Sequence, residues 1–202
     1  MPAGEGALSI NTASLICNLF IFVITAIITL RFFWKDGTLD VERGKNAFRY
    51  FTVQSNVLCG LAALLLCLFP ASHRAWLFKY MGTAAVTVTL LTVFFFLGPN
   101  MGYGKLLKGP DLFMHLITPL LAIVSFCVFE KRGLTFAEAL LGMLPSIVYG
   151  VWYLYKVVLA PAEKRWEDFY GFNKGGKWPV YLAAMTVGEL LICLGLMALQ
   201  NV

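Results

Sequence analysis

Six stretches of about twenty mostly apolar residues, separated by polar or Gly/Pro-marked breaks, constrain this chain more than any other feature. A helix needs about 20 such residues to cross the hydrocarbon core of a bilayer. The stretches fall at about 12–34, 47–69, 76–98, 111–129, 135–158 and 179–200. None shows the polar/apolar alternation over about ten residues that marks a barrel strand, and helices are then the way to satisfy the backbone in lipid. With 59% hydrophobic and only 13% charged residues, the composition excludes an ordinary soluble domain. The expected fold is all-α, a polytopic membrane bundle of six transmembrane helices. The longest loops, about 35–46 and 159–178, are too short to bury a second core, so residues 1–202 read as a single transmembrane domain. Nothing basic precedes the first stretch, which ends in the interfacial run Arg31-Phe32-Phe33-Trp34-Lys35; it is expected to stay in the mature protein rather than leave as a signal peptide.

Charge gives the expected orientation. Twelve of the sixteen Lys and Arg residues, from Arg31 and Lys35 to Lys174 and Lys177, follow the first, third and fifth stretches. The opposite face keeps Arg74, Lys79, Lys131 and Arg132. The positive-inside rule assigns the richer set to the cytoplasm and both termini to the outside. The net charge of +5 therefore needs no nucleic-acid partner, and a basic rim suits anionic lipid headgroups. All five cysteines fall inside the apolar stretches with no metal-ligand spacing, so they read as small packing residues.

The informative residues are the polar ones inside the stretches. Thr52, Ser55 and Asn56 share a helix face by their i, i+3, i+4 spacing. A second stretch starting near residue 47 puts Thr52 about five residues in, roughly 8 Å below the helix start at 1.5 Å per residue. His115 lies at nearly the same depth in the fourth stretch, and no other histidine is inside an apolar segment. Unpaired polar groups are costly in hydrocarbon, so both point to the bundle interior, either as helix-to-helix hydrogen bonds or as chemistry. Pro119 lacks the N–H that the carbonyl of residue 115 would use in an α-helix, which favours a kink beside the imidazole. Imidazole is the side chain suited to proton transfer near neutral pH. Tyr149, Trp152, Tyr153 and Lys156 recur toward the same end of the fifth stretch, a pattern that an interfacial aromatic belt also produces. The Gly98–Gly104 segment reads as a flexible loop able to line or cover a pocket. The acidic-aromatic run Trp166–Phe172 is expected to fold back over the same mouth. Glu189 sits near the middle of the sixth stretch, where a carboxylate must be protonated or paired, with Asn18 and Thr25 as candidate partners.

Three blocks, Phe51-Thr52-Val53-Gln54-Ser55-Asn56, Met114-His115 with Pro119, and Tyr149-Gly150-Val151-Trp152-Tyr153, resemble the androgen-induced-gene and androgen-dependent TFPI-regulating protein family, and its bacterial six-span relatives more than its animal members. The resemblance implies a multi-pass hydrolase of fatty-acid esters of hydroxy fatty acids, with the essential threonine and histidine at Thr52 and His115, and it implies a bacterial inner membrane. The chain departs from the animal pattern at Asp111 and Leu112, where an Asn-His pair is usual, and keeps the Tyr-Pro-Phe segment only loosely within Asp168–Phe172 and Trp178-Pro179.

The expected activity is a threonine-dependent lipid esterase. Thr52 attacks an ester carbonyl and His115 serves as general base and then general acid. Ser55, Asn56 or a backbone N–H is expected to stabilise the oxyanion and Asp111 to orient the ring. Tyr149, Tyr153 and Glu189 are candidate binding residues. No metal or cofactor is implied, because one buried histidine and scattered acids make a poor ligand set. The partners are a lipid ester and membrane lipids, and no feature of the sequence specifies an oligomeric state. The alternative is a non-catalytic lipid or small-molecule binder or a proton-coupled transporter using His115 and Glu189, although no internal repeat of the transporter kind is evident. A purely structural membrane partner is the third reading, and it leaves the polar stripe unexplained.

Overall fold

The computed structural model describes residues 11–202. Six of its helices are long and apolar enough to cross a membrane: α1 (Thr12–Arg31), α3 (Phe51–Leu68), α4 (His73–Met101), α5 (Pro110–Phe129), α6 (Phe136–Leu159) and α7 (Trp178–Asn201). The chain is an all-α bundle and an integral membrane protein. A hairpin of β1 (Trp34–Lys35) and β2 (Thr38–Leu39) and a short helix, α2 (Val41–Ala47), fill the first basic loop. The hairpin turns on Asp36 and Gly37, both at positive φ (50° and 80°), the geometry that an Asp-Gly pair tolerates at least cost.

Helix starts differ between the two ends of the bundle. At the less basic end, side chains cap them: Asn11 accepts from the Ala13 N–H, Ser72 from that of Ala75, and Thr135 and Glu138 form a reciprocal capping box. At the basic end no side chain of the usual N-cap position serves α3, α5 or α7. Pro110 and Pro179 open α5 and α7, where a missing N–H is no loss. The first N–H of α3 goes instead to the phenol oxygen of Tyr170, at 3.0 Å.

The second stretch begins later than its hydropathy suggests. Asp40 caps α2, and the turns closed by Arg49 and Tyr50 separate it from α3, whose first residue is Phe51. Thr52 therefore lies in the first turn of α3 and not five residues in. The third stretch, conversely, stays helical through Gly98–Met101, so part of the expected flexible loop is helix.

Small residues set a close backbone contact between α3 and α4. A Cβ on Gly82 would come within 2.8 Å of the Cys59 Cα, and Ala62, Ala63, Ala84 and Ala85 are fully buried nearby. In lipid, where apolar surface alone does not drive helices together, such close backbone approach is what association rests on. One core cluster, with Trp76, Tyr80, Phe126 and Cys193, fills the less basic end; a second, with Tyr149, Tyr153, Val157 and Phe172, fills the basic end.

Three helices widen into π turns at the basic end: Val93–Leu97 in α4, Phe113–Ile117 in α5 and Tyr155–Leu159 in α6. Each is followed two residues later by a proline, Pro99, Pro119 or Pro161. In α5 the Thr118 N–H bonds the Phe113 carbonyl, so the next carbonyl, Met114, would look to residue 119 for a donor that proline lacks. The vacated carbonyl thus moves from residue 115, as an α-helix would have it, to Met114. In all three helices another element supplies the missing donor. Asn56 serves Met114 at 2.9 Å, the Tyr103 hydroxyl serves Phe94 at 2.8 Å, and the Trp166 N–H serves Lys156 at 2.9 Å.

Candidate active site

Asn56 is the hinge of the arrangement. It is fully buried, and its amide nitrogen donates to the Thr52 carbonyl at 2.8 Å and to the Met114 carbonyl at 2.9 Å. One nitrogen therefore ties the backbone of Thr52 to that of the residue before His115. The proline explains why the second bond exists: without it, Met114 would be bonded within its own helix.

His115 is buried, and its Nδ1 lies 2.6 Å from the carbonyl of Leu106. A carbonyl only accepts, so Nδ1 carries a proton. The Nε2 lone pair makes no hydrogen bond among the described residues, the tautomer that a general base requires. Leu106 ends a one-turn helix, Tyr103–Leu106, bracketed by Gly102 and Gly109 at φ 86° and 59°. Its carbonyl is free because no further turn follows. The short helix that starts within the Gly98–Gly104 segment and runs beyond it to Leu106 is thus a backbone support for the imidazole. Asp111, exposed in the first turn of α5, makes no hydrogen bond among the described residues, and the orientation expected from it comes from Leu106.

Thr52 is partly exposed, and its hydroxyl is not bonded among the described residues. It lies beside the phenol of Tyr170, whose oxygen accepts the Phe51 N–H. Tyr170 belongs to the loop between α6 and α7, and that loop is folded by aromatic contacts and one carboxylate. Asp168 accepts the Tyr153 hydroxyl at 3.0 Å and the N–H groups of Phe172 and Asn173 at 2.8 and 2.7 Å. Tyr153 in turn accepts the Tyr170 N–H at 3.2 Å, and the Tyr149 hydroxyl donates to the Arg49 carbonyl at 2.8 Å. Trp166 is flanked by the Arg49 guanidinium and the Lys156 ammonium, 5.4 and 5.7 Å from its ring centre. Burial pushes the Tyr170 phenol up to about 12, although the hydrogen bond it accepts from the Phe51 N–H pulls it back.

The other candidates lie apart. The Ser55 hydroxyl sits between the Thr52 carbonyl, at 3.1 Å, and Thr89 of α4, at 2.8 Å, where it joins two helices. Glu189 is buried in α7, and its Oε1 has no hydrogen-bond partner among the described residues. The expected partner Asn18 bonds Glu130 instead, together with Ser14 and Ser125, at the less basic end. No three His, Cys, Asp or Glu side chains converge as a metal-ligand set among the described residues.

Sequence reading placed Tyr170 only within the Trp166–Phe172 run expected to fold back over the mouth, without a contact to α3, and it missed the carbonyls of Leu106 and Met114. The two carbonyls belong to the backbone and leave no mark in residue type, though the Ile-Thr-Pro spacing that follows His115 marks where one is freed. No family model, curated protein or solved structure matches the chain.

Proposed function

We propose that this protein is a membrane hydrolase of lipid esters, allied to the threonine hydrolases that it resembles in its Phe-Thr-x-Gln-Ser-Asn and Met-His blocks, with Thr52 as nucleophile and His115 as base. The observation that carries the reading is the Asn56 amide, which joins the Thr52 backbone to that of Met114 beside an imidazole fixed with Nε2 free.

In the proposed cycle the Thr52 oxygen bonds the ester carbonyl carbon while its proton passes to His115 Nε2. The carbonyl π pair moves onto oxygen. The tetrahedral adduct collapses by breaking the bond to the alcohol oxygen, which takes the proton from Nε2, and an acyl-threonine remains. Water then repeats the sequence: its proton goes to Nε2, its oxygen bonds the acyl carbon, and the threonine oxygen leaves with that proton. A fatty acid and an alcohol are the products, with no redox change.

The basic rim supports placing this end of the bundle on the cytoplasmic side, with both termini outside, and the bacterial inner membrane rests on the resemblance. A C-terminal reporter active only outside the cytoplasm should be active on this chain.

Fatty-acid release from lipid esters by purified protein tests the activity. Thr52→Ala and His115→Ala should each lower turnover by at least about a hundredfold with unfolding temperatures unchanged. Full turnover in both variants rules out the pair. A flux of protons or solute that depends on Glu189, with no product formed, indicates the transporter.

A further inference from the structure

An attack on an ester carbonyl needs a donor for the oxygen that becomes negative, and the polar stripe of α3 has none to spare. Both amide hydrogens of Asn56 are spent on the carbonyls of Thr52 and Met114. The Ser55 hydroxyl is spent between Thr52 and Thr89. An unspent side-chain donor next to the nucleophile comes from outside the membrane helices. Tyr170 accepts the Phe51 N–H through its phenol oxygen, which fixes that oxygen at the start of α3, and its own O–H donates to no described residue.

We propose that the Tyr170 hydroxyl is the oxyanion donor of the reaction, a catalytic residue supplied by the loop between α6 and α7 and aimed at the carbonyl that Thr52 attacks. This rests on the threonine-hydrolase reading above. Tyr170 donates a hydrogen bond and keeps its proton throughout: as the carbonyl π pair moves onto oxygen the bond strengthens, and as the adduct collapses it weakens again. The residue is held ready for this. Its N–H is bonded to Tyr153, which Asp168 anchors, and its ring packs against Phe169 and Tyr153 with centroids 4.7 and 5.4 Å away. A donor fixed before substrate arrives needs no reorganisation during the reaction, the condition under which such groups are most effective. Its phenol, raised by burial to about 12, stays protonated near neutral pH.

Tyr170→Phe keeps the ring and removes the O–H. The expected result is a fall in kcat of about 10²–10³-fold with KM changed by less than about threefold. A long-chain trifluoromethyl ketone, which forms a tetrahedral oxyanion on Thr52, should lose affinity by the same factor as kcat/KM, whereas the matching unreactive alcohol should bind unchanged. Fluorotyrosine at position 170 keeps the shape with a more acidic hydroxyl, and the alkaline limb of kcat should move to lower pH. Full kcat in Tyr170→Phe, with Thr52→Ala and His115→Ala inactive, overturns this assignment alone. Equal weakening of ketone and alcohol, or an alkaline limb unmoved by fluorination, makes Tyr170 a structural residue and also overturns it. Full activity in Thr52→Ala and His115→Ala removes the parent reading instead.

Discussion

Asn56 illustrates how much a single buried amide can decide. Its nitrogen replaces a donor that Pro119 removed and, with its second hydrogen, closes the first turn of α3. Asn56→Leu has similar bulk and none of these bonds, so it strands the Met114 carbonyl where water has little access, while the Thr52 carbonyl keeps the Ser55 hydroxyl. A stranded group costs about 1–3 kcal/mol, so the variant should show a clear drop in unfolding temperature in detergent. It should also lose most of its ester hydrolysis, because nothing then ties Thr52 to the His115 turn. Activity at the wild-type level in a folded Asn56→Leu protein would contradict the role assigned to this residue. Residue type and spacing announced Asn56 as polar and inward-facing, but they gave no hint that its donors were already committed. That commitment depends on the width of a neighbouring helix.

Elements carry the second lesson. The three π turns at the basic end stand at the same distance before a proline, in Leu-Gly-Pro, Ile-Thr-Pro and Leu-Ala-Pro, so these are legible in the sequence, whereas Ser125–Phe129, a π turn at the other end of α5, has no such proline. Pro119→Ala tests the rule, because it returns an N–H to position 119. That N–H competes with Asn56 for the Met114 carbonyl and favours the narrower α turn, which rotates His115 away from its support at Leu106. The expected outcome is an unfolding temperature no lower than wild type, since proline inside a helix is costly, together with turnover reduced at least about tenfold. A variant that is both as stable and as active as wild type would show that the widened turn does not matter. The start of α3 was misplaced in the sequence for a related reason. Residues 47–50 are apolar enough to join the stretch, but the Asp40 cap and the turns at Arg49 and Tyr50 divide it, and hydropathy does not register a turn.

Across the whole molecule, the structural network and the proposed site fall at opposite ends. The less basic end is closed by the Glu130 network and the Trp76, Tyr80 and Phe126 cluster, and the middle by the α3/α4 contact at Gly82. Gly82→Val should unfold the bundle or lower its unfolding temperature sharply, because its Cβ would overlap the Cys59 backbone and overpacking of this kind costs about 1–3 kcal/mol or more. Unfolding in the presence of a tightly bound inhibitor checks this, and an unchanged midpoint would show that the helices can separate freely there. Six apolar stretches made this bundle legible at once. The chemical end was legible only as a list of candidates, since Tyr170 reaches Phe51 across 119 positions and no local pattern encodes that meeting.

The three proline-freed carbonyls also bear on when this protein becomes competent. Each is answered from beyond its own transmembrane segment, by a side chain of α3, by a tyrosine past the end of α4, or by the chain after α6. A helix inserted by itself therefore carries an open valence at its basic end until those neighbours arrive. Insertion and maturation are then separate events, and the proposed chemistry belongs to the second, appearing when the last loop closes.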